Sequence, residues 1–168
     1  MPTIFTHPAV TLLRPWFRNV PRRAVIAGAL GSILPDGDVA AFALGIPYEH
    51  PLGHRGFTHS IAFALLYAAF CALLLRVPPY FIFLCTLSHT LLDALTDGGL
   101  GVAFFSPFSN ERYFFPWTPI RVSPIGAGFF SARGLETLMS EVVWVWGPCV
   151  ALGLLGKYLV QRHREVGE

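Results

Sequence analysis

The sequence predicts an all-α, multi-helix integral membrane protein with about three full spans and a short N-terminal helical hairpin. Three observations lead there. Hydrophobic residues make up 54% of the chain and charged residues 13%, with a mean hydropathy of +0.55. A soluble domain carries about 25% charged residues, so this chain lacks the charge to wet an ordinary surface. Two apolar runs of fifteen residues, 61–75 and 142–156, lie inside longer helical patterns. The basic residues also fall where one membrane orientation satisfies every segment. The competing reading is a soluble all-α bundle with unusually apolar helices. The 168 residues suit one domain, 1–168.

Segment 8–17 reads as a short helix ending at the basic turn RNVPRR. Segment 22–34 (RRAVIAGALGSIL) is a second helix stopped by Pro35, and PDGD is a turn by its proline and glycine. Neither is long enough to span alone. Together they suit a re-entrant or tilted hairpin packed against the other helices. VAAFALGI extends this region without spanning. Segment 57–76 meets the requirement of about 20 mostly apolar residues and is closed by Pro78 and Pro79. Thr58 is placed to cap it, with His59 in its first turn. Segment 80–95 is a marginal span. Region 96–133 is irregular, and FFSPFSNERYFFPWTPIRVSPIG suits either a segment lying at the membrane interface or a capping loop. Segment 135–160 is the last span.

Charge sets the expected orientation. Cytoplasmic ends carry an excess of Lys and Arg. Placing Arg18, Arg22, Arg23, Arg76, Lys157, Arg162 and Arg164 on that side leaves His7, PDGD, HRGFTHS and the end of segment 80–95 on the other. A net charge of +2 is too small for a nucleic-acid footprint. Cys71, Cys85 and Cys149 lie in apolar runs and read as small buried hydrophobes. The N-terminus has no basic n-region or small-residue cleavage site, so no signal peptide is expected.

The polar residues on the non-cytoplasmic side have the chemistry of a metal site. His89 and Asp93 are four apart and project from one helix face. Ionisable residues in a membrane segment are costly and point to function. Asp36 and Asp38 crowd two carboxylates at a helix end, the wrong pole for anions, and a divalent cation or an arginine would compensate them. His54, Arg55 and His59 fall in HRGFTHS at the mouth of an apolar helix. His7 opens the first helix, and His50 ranks lower in its loop. Imidazole with carboxylate suits zinc, manganese or iron. So many ligands exceed one tetrahedral ion. Arg55 and Arg121 are candidates to hold a phosphate, with Thr58, Ser60 and Thr90 orienting ligands. No G-x-S-x-G turn supports a serine triad.

The ordered set PDGD, HRGFTHS, SHTLLD, PFSNERYFFPW and PIRVSP, from His7 to Pro124, resembles the YdjM-like family of bacterial inner-membrane proteins, regarded as metal-dependent hydrolases. That family has a distant likeness to the all-α, zinc-dependent phospholipase C and single-strand nuclease fold. The resemblance implies His7, Asp36 or Asp38, His59, His89 and Asp93 as metal ligands, with His54 and Arg55 inside the family's motif. The phospholipase-like enzymes use further downstream His and Glu ligands. Here no histidine lies between Asp93 and His163, and Glu111, Glu136 and Glu141 are the carboxylates available. One or two ions are therefore expected rather than three.

The expected function is metal-dependent hydrolysis at the non-cytoplasmic face of the bacterial inner membrane, on a small-molecule or lipid-linked phosphoester, by metal-activated water. The expected metal ligands are His7, Asp36, Asp38, His54, His59, His89 and Asp93. Arg55 and Asp38 are the catalytic candidates, and Arg55 and Arg121 would bind substrate. Zinc is the first choice of ion and manganese the second. The partner is the lipid bilayer, and no nucleic acid is expected. The alternative is a non-catalytic metal-binding or stress-related structural membrane protein.

Overall fold

The structure is a computed structural model that describes residues 1–124 and 126–166. Ile125, in the proline-rich part of region 96–133, and the last two residues lie outside it. The described residues are helical with no strand; the pairs Thr96–Ile120 and Val102–Tyr113 form isolated bridges. A 3-10 segment, His7–Trp16, opens the chain, with Pro8 at its start and Pro15 inside it. Then follow α1 (Arg22–Gly31), a 3-10 turn (Leu34–Val39), α2 (Ala40–Ala43), α3 (Ile61–Leu75) and α4 (Pro79–Ala94). The chain ends in α5 (Ala132–Glu141), a π-helical stretch (Val142–Trp146) and α6 (Gly147–Val166).

Local chemistry accounts for the boundaries. Ser60 caps α3 by accepting the Phe63 backbone N–H at 3.0 Å. Thr58, expected in that role, instead donates to Asp38. Arg76, in the left-handed conformation, ends α3. Pro78 and Pro79 then start α4, where a missing N–H costs nothing.

The main core joins α1, α3 and α4 through Val20, Ala24, Ala27, Ala68, Cys71, Phe81, Ile82 and Cys85. Small residues allow these backbones to approach. A Cβ on Gly28 would lie 2.9 Å from Cys85 Sγ, and one on Gly31 would collide with Thr86 and Tyr67. A second core of Ala9, Ile120 and Val145 fastens the 3-10 segment to the π-helical stretch. The cysteines are free; Cys71 and Cys85 are buried and Cys149 half-buried.

The expectation of three full spans is corrected to two helical runs long and apolar enough to cross a membrane, Arg22–Ala43 and Ala132–Glu165. The first run exceeds its expected length because Pro35 does not stop it. Pro35 occupies the first turn of Leu34–Val39, where its fixed φ suits a new helical start. Helix α3 has 15 residues, about 22 Å, against a hydrocarbon thickness of about 30 Å. Segment 57–76 also contains the 3-10 turn Phe57–His59 and the closing Arg76, which lie outside the helix. Helix α4 buries Thr86, His89, Thr90 and Asp93 in its C-terminal half and so spends that length on polar contacts. Even so, α3 turns Leu65, Leu66, Phe70, Leu73 and Leu74 outward. Such a continuous apolar surface suits lipid.

Region 96–133 folds back over the loop before α3. Ala103 N–H donates to Arg55 O, and Ile61 N–H to Phe104 O, each at 3.0 Å. Arg112 donates to the carbonyls of His54 and Tyr48, each at 2.9 Å. The region therefore caps, and Phe105, Phe108 and Trp117 face outward from it.

Candidate metal centre

Four elements converge on one buried cluster. His7 comes from the 3-10 segment, Asp36 from the turn after α1, His59 from the turn before α3, and His89 and Asp93 from the end of α4. The ligand atoms of Asp36, His59, His89 and Asp93 lie within 4.8 Å of one another. His7, His59, His89 and Asp93 are fully buried, and Asp36 nearly so.

The tautomers follow from outer hydrogen bonds. His89 Nδ1 lies 2.7 Å from the Ser32 carbonyl and must donate to it. Its Nε2 is therefore a bare acceptor. His59 Nδ1 faces Asp38 Oδ2 at 3.1 Å, which likewise directs its Nε2 inward. The two Nε2 atoms then meet at 3.0 Å. Two lone pairs at this distance repel unless a proton or a cation lies between them.

Without an ion, the proton resolves the conflict. Burial opposes charge on His59, but contacts with Asp36, Asp38 and Asp93 outweigh it and push its pKa up to about 10. Burial, then the neighbouring His89, pushes His7 down to about 3, so its ring is neutral. The His7 ring stacks on His89 with centroids 3.8 Å apart.

The residues present fit a metal ion. Two ligands of a tetrahedral zinc, each about 2.05 Å away, lie about 3.3 Å apart. His89 Nε2 is 3.4 Å from Asp36 Oδ1, and His59 Nε2 is 3.7 Å from Asp36 Oδ1 and 3.4 Å from Asp93 Oδ2. The second oxygens of Asp36 and Asp93 face His7 Nε2 at 3.7 and 3.9 Å. Both nitrogens of His7 and all four oxygens of Asp36 and Asp93 are buried without a hydrogen-bond partner. Leaving so many polar atoms unpaired is costly, and a divalent cation would satisfy the carboxylate oxygens that face it and at most one nitrogen of His7.

Asp38 and His54 stand behind His59. Asp38 accepts from Thr58 Oγ1 at 2.6 Å and from the Arg55 backbone N–H at 3.1 Å, and pairs with His54 Nδ1 at 2.6 Å. With His54 and His59 it forms a second grouping of metal-ligand type. Arg55 is also committed. Its Nη1 donates to Gly98 O at 2.8 Å and its Nη2 to Thr96 Oγ1 at 3.0 Å. Its Nε lies 2.9 Å from Asp93 Oδ2, close enough for an ion pair but not aligned as a hydrogen bond. Its backbone has φ 61°, an unusual conformation for a non-glycine residue. Arg121 is apart from the cluster, exposed, and paired with Asp97 at 2.7 Å. His50 is exposed in its loop.

Sequence reading missed the Ser32 and Gly98 carbonyls, because a backbone acceptor leaves no mark in residue type. It also missed the clamp made by Arg112. Glu141, named above among the available carboxylates, is fully buried but outside the ligand grouping, and both Thr3 and Thr6 donate to it through their hydroxyls at 2.6 Å.

Comparison with known proteins places this arrangement in context. The family described as YdjM inner membrane protein matches residues 3–164. The chain is 39% identical over 164 residues to inner membrane protein YbcI of Escherichia coli (strain K12), covering 90% of this chain and 95% of that one. No solved structure matches the chain.

Proposed function

This chain belongs to the YdjM inner membrane protein family, and from that premise we propose that it is a membrane-bound, metal-dependent hydrolase of phosphoester bonds. The observation that carries this reading is the set of buried, unpartnered His and Asp atoms converging at ligand spacing. Asp36, His59, His89 and Asp93 would hold the ion, and their imidazole and carboxylate donors suit zinc. His7 faces the outer oxygens of both aspartates and would help hold a second ion if one binds. A bound divalent cation supplies Lewis acidity and lowers the pKa of water to near neutrality.

The chain's own groups prepare that chemistry. Asp38 orients His59 and the Ser32 carbonyl orients His89, each holding Nε2 free for the ion. Arg55 offsets the charge of Asp93 and ties the loop before α3 to Thr96 and Gly98. Each Nη retains a second N–H, which is the part of Arg55 left to meet a phosphate. The positive-inside rule orients Arg22–Ala43 and Ala132–Glu165 as spans of a multi-pass protein with the cluster at the non-cytoplasmic face. A lipid-linked phosphoester is the favoured substrate there.

Full burial of His7, His59, His89 and Asp93 favours a second reading, a metal held for folding without catalysis. The deciding experiment measures metal content of detergent-purified protein, then phosphoesterase activity. The proposal expects stoichiometric zinc, its loss in His89→Ala with Asp93→Ala, and turnover only by the loaded protein. Zinc without turnover across a broad phosphoester panel would favour the folding role. No metal after reconstitution with excess ion would reject both.

A further inference from the structure

A cavity of about 1120 Å³ lies at the opposite end of the helices from the His–Asp cluster. Its lining includes Arg18 and Arg23, beside the start of α1, whereas Asp36 follows the end of α1. Arg76 follows α3, whereas His59 precedes it; Pro78 precedes α4, whereas His89 and Asp93 lie near its end. Every one of these helices thus has the cavity at one end and the cluster at the other.

The charge around this cavity is of one sign. Arg14, Arg18, Arg23, Arg76, Lys157 and Arg164 line it, all exposed, and no carboxylate does. Among the described residues the arginine ion pairs are Arg55–Asp93 and Arg121–Asp97, so these six cations have no acidic partner. Two guanidinium groups are held in place by carbonyls. Arg14 Nε donates to Val20 O at 3.0 Å and Arg23 Nη2 to Arg76 O at 3.3 Å.

One wall is apolar and built by close packing. Trp16 donates its indole N–H to the Leu152 carbonyl at 2.7 Å, and a Cβ on Gly156 would lie 2.7 Å from that same indole nitrogen. Glycine at this position lets the ring lie against α6. Leu154, Leu155 and Tyr158 face outward from α6, and Leu73 and Leu74 from α3.

We propose that this cavity binds the head group of an anionic membrane phospholipid, with its acyl chains lying on the outward faces of α3 and α6. Uncompensated arginines and lysine against apolar walls suit a phosphate that enters with its own hydrocarbon. The guanidinium fork matches phosphate oxygens. A soluble anion would find the same charge but leave the apolar faces uncovered. The site rests on the membrane setting and not on the metal chemistry, so its failure would leave the hydrolase reading untouched.

The test uses the full chain in mild detergent, with retention of phosphatidylglycerol and phosphatidylcholine measured by native mass spectrometry and thermal unfolding. Phosphatidylglycerol should be retained and raise the melting temperature, and phosphatidylcholine should not. Arg18→Gln with Lys157→Gln should weaken that retention about tenfold or more, the loss expected for two charges near an anionic surface. Cooperative melting of the double variant in phosphatidylcholine checks that it folds. Should it not fold, the single exposed change Arg164→Gln repeats the test with a smaller expected loss. Equal retention of both lipids, or unchanged retention in folded variants, overturns the site. Protection by inorganic phosphate equal to that by phosphatidylglycerol assigns the cavity to a free anion and overturns the lipid reading.

Discussion

At the scale of single residues, the centre depends on which ring nitrogen carries a proton. His59 at about 10 is protonated at neutral pH in the metal-free protein, so binding an ion must expel that proton. Zinc titration in two buffers of different ionisation enthalpy should show release of roughly one proton per ion. Affinity should rise with pH toward that value. The sign for stability runs the other way without metal. A pKa raised above the unfolded value near 6.5 stabilises the fold fully below that value, and the stabilisation is lost as pH rises through about 10. The melting temperature of chelator-treated protein should therefore fall between neutral and alkaline pH, and zinc should remove that dependence. Asp38→Asn keeps the shape beside His59 but removes the carboxylate that orients it. Zinc affinity should drop about 10- to 100-fold, read by competition with a chelating dye. Unchanged affinity would place Asp38 outside the metal's support.

At the scale of elements, short motifs do their work at helix ends. Ser60, not Thr58, caps α3, which frees Thr58 to hold Asp38. Ser60→Ala should cost about 1 kcal/mol in chemical denaturation and leave metal content near that of the unaltered protein. Gly31 is the more sensitive position, because α1 meets Thr86 and Tyr67 there, one residue before the Ser32 carbonyl that orients His89. Gly31→Ala should cost about 1–3 kcal/mol and also reduce zinc content. Full zinc retention with only a stability loss would show that the carbonyl tolerates the shift. The His89–Asp93 pair was readable from its spacing because a helix puts i and i+4 on one face. The cap of α3 was not, since Thr58 and Ser60 are both good caps and only the Asp38 contact decides between them.

At the scale of the whole molecule, the charged ends oppose each other: acidic and imidazole groups at one, arginines and Lys157 at the other. The orientation proposed here is open to direct measurement. His50→Cys should react with a membrane-impermeant maleimide in intact cells, and Arg162→Cys only after permeabilisation; the reverse pattern would invert the topology. The sequence alone determined the membrane class, because 13% charged residues cannot cover a soluble surface. It also determined the family, through the ordered motifs from PDGD to PIRVSP, and the set of His and Asp residues at one end, because helix periodicity and basic flanks are local properties of the chain. The tertiary structure alone decided how many helical runs are long and apolar enough to span, since Pro35 continues a helical path only in its actual turn. It alone decided that Arg55 is a buried tie and that Arg121 stands apart. And it alone gathered Arg14, Arg18, Arg23, Arg76, Lys157 and Arg164 around one cavity. These outcomes depend on contacts between residues far apart in the chain, and on backbone carbonyls that residue identity does not encode.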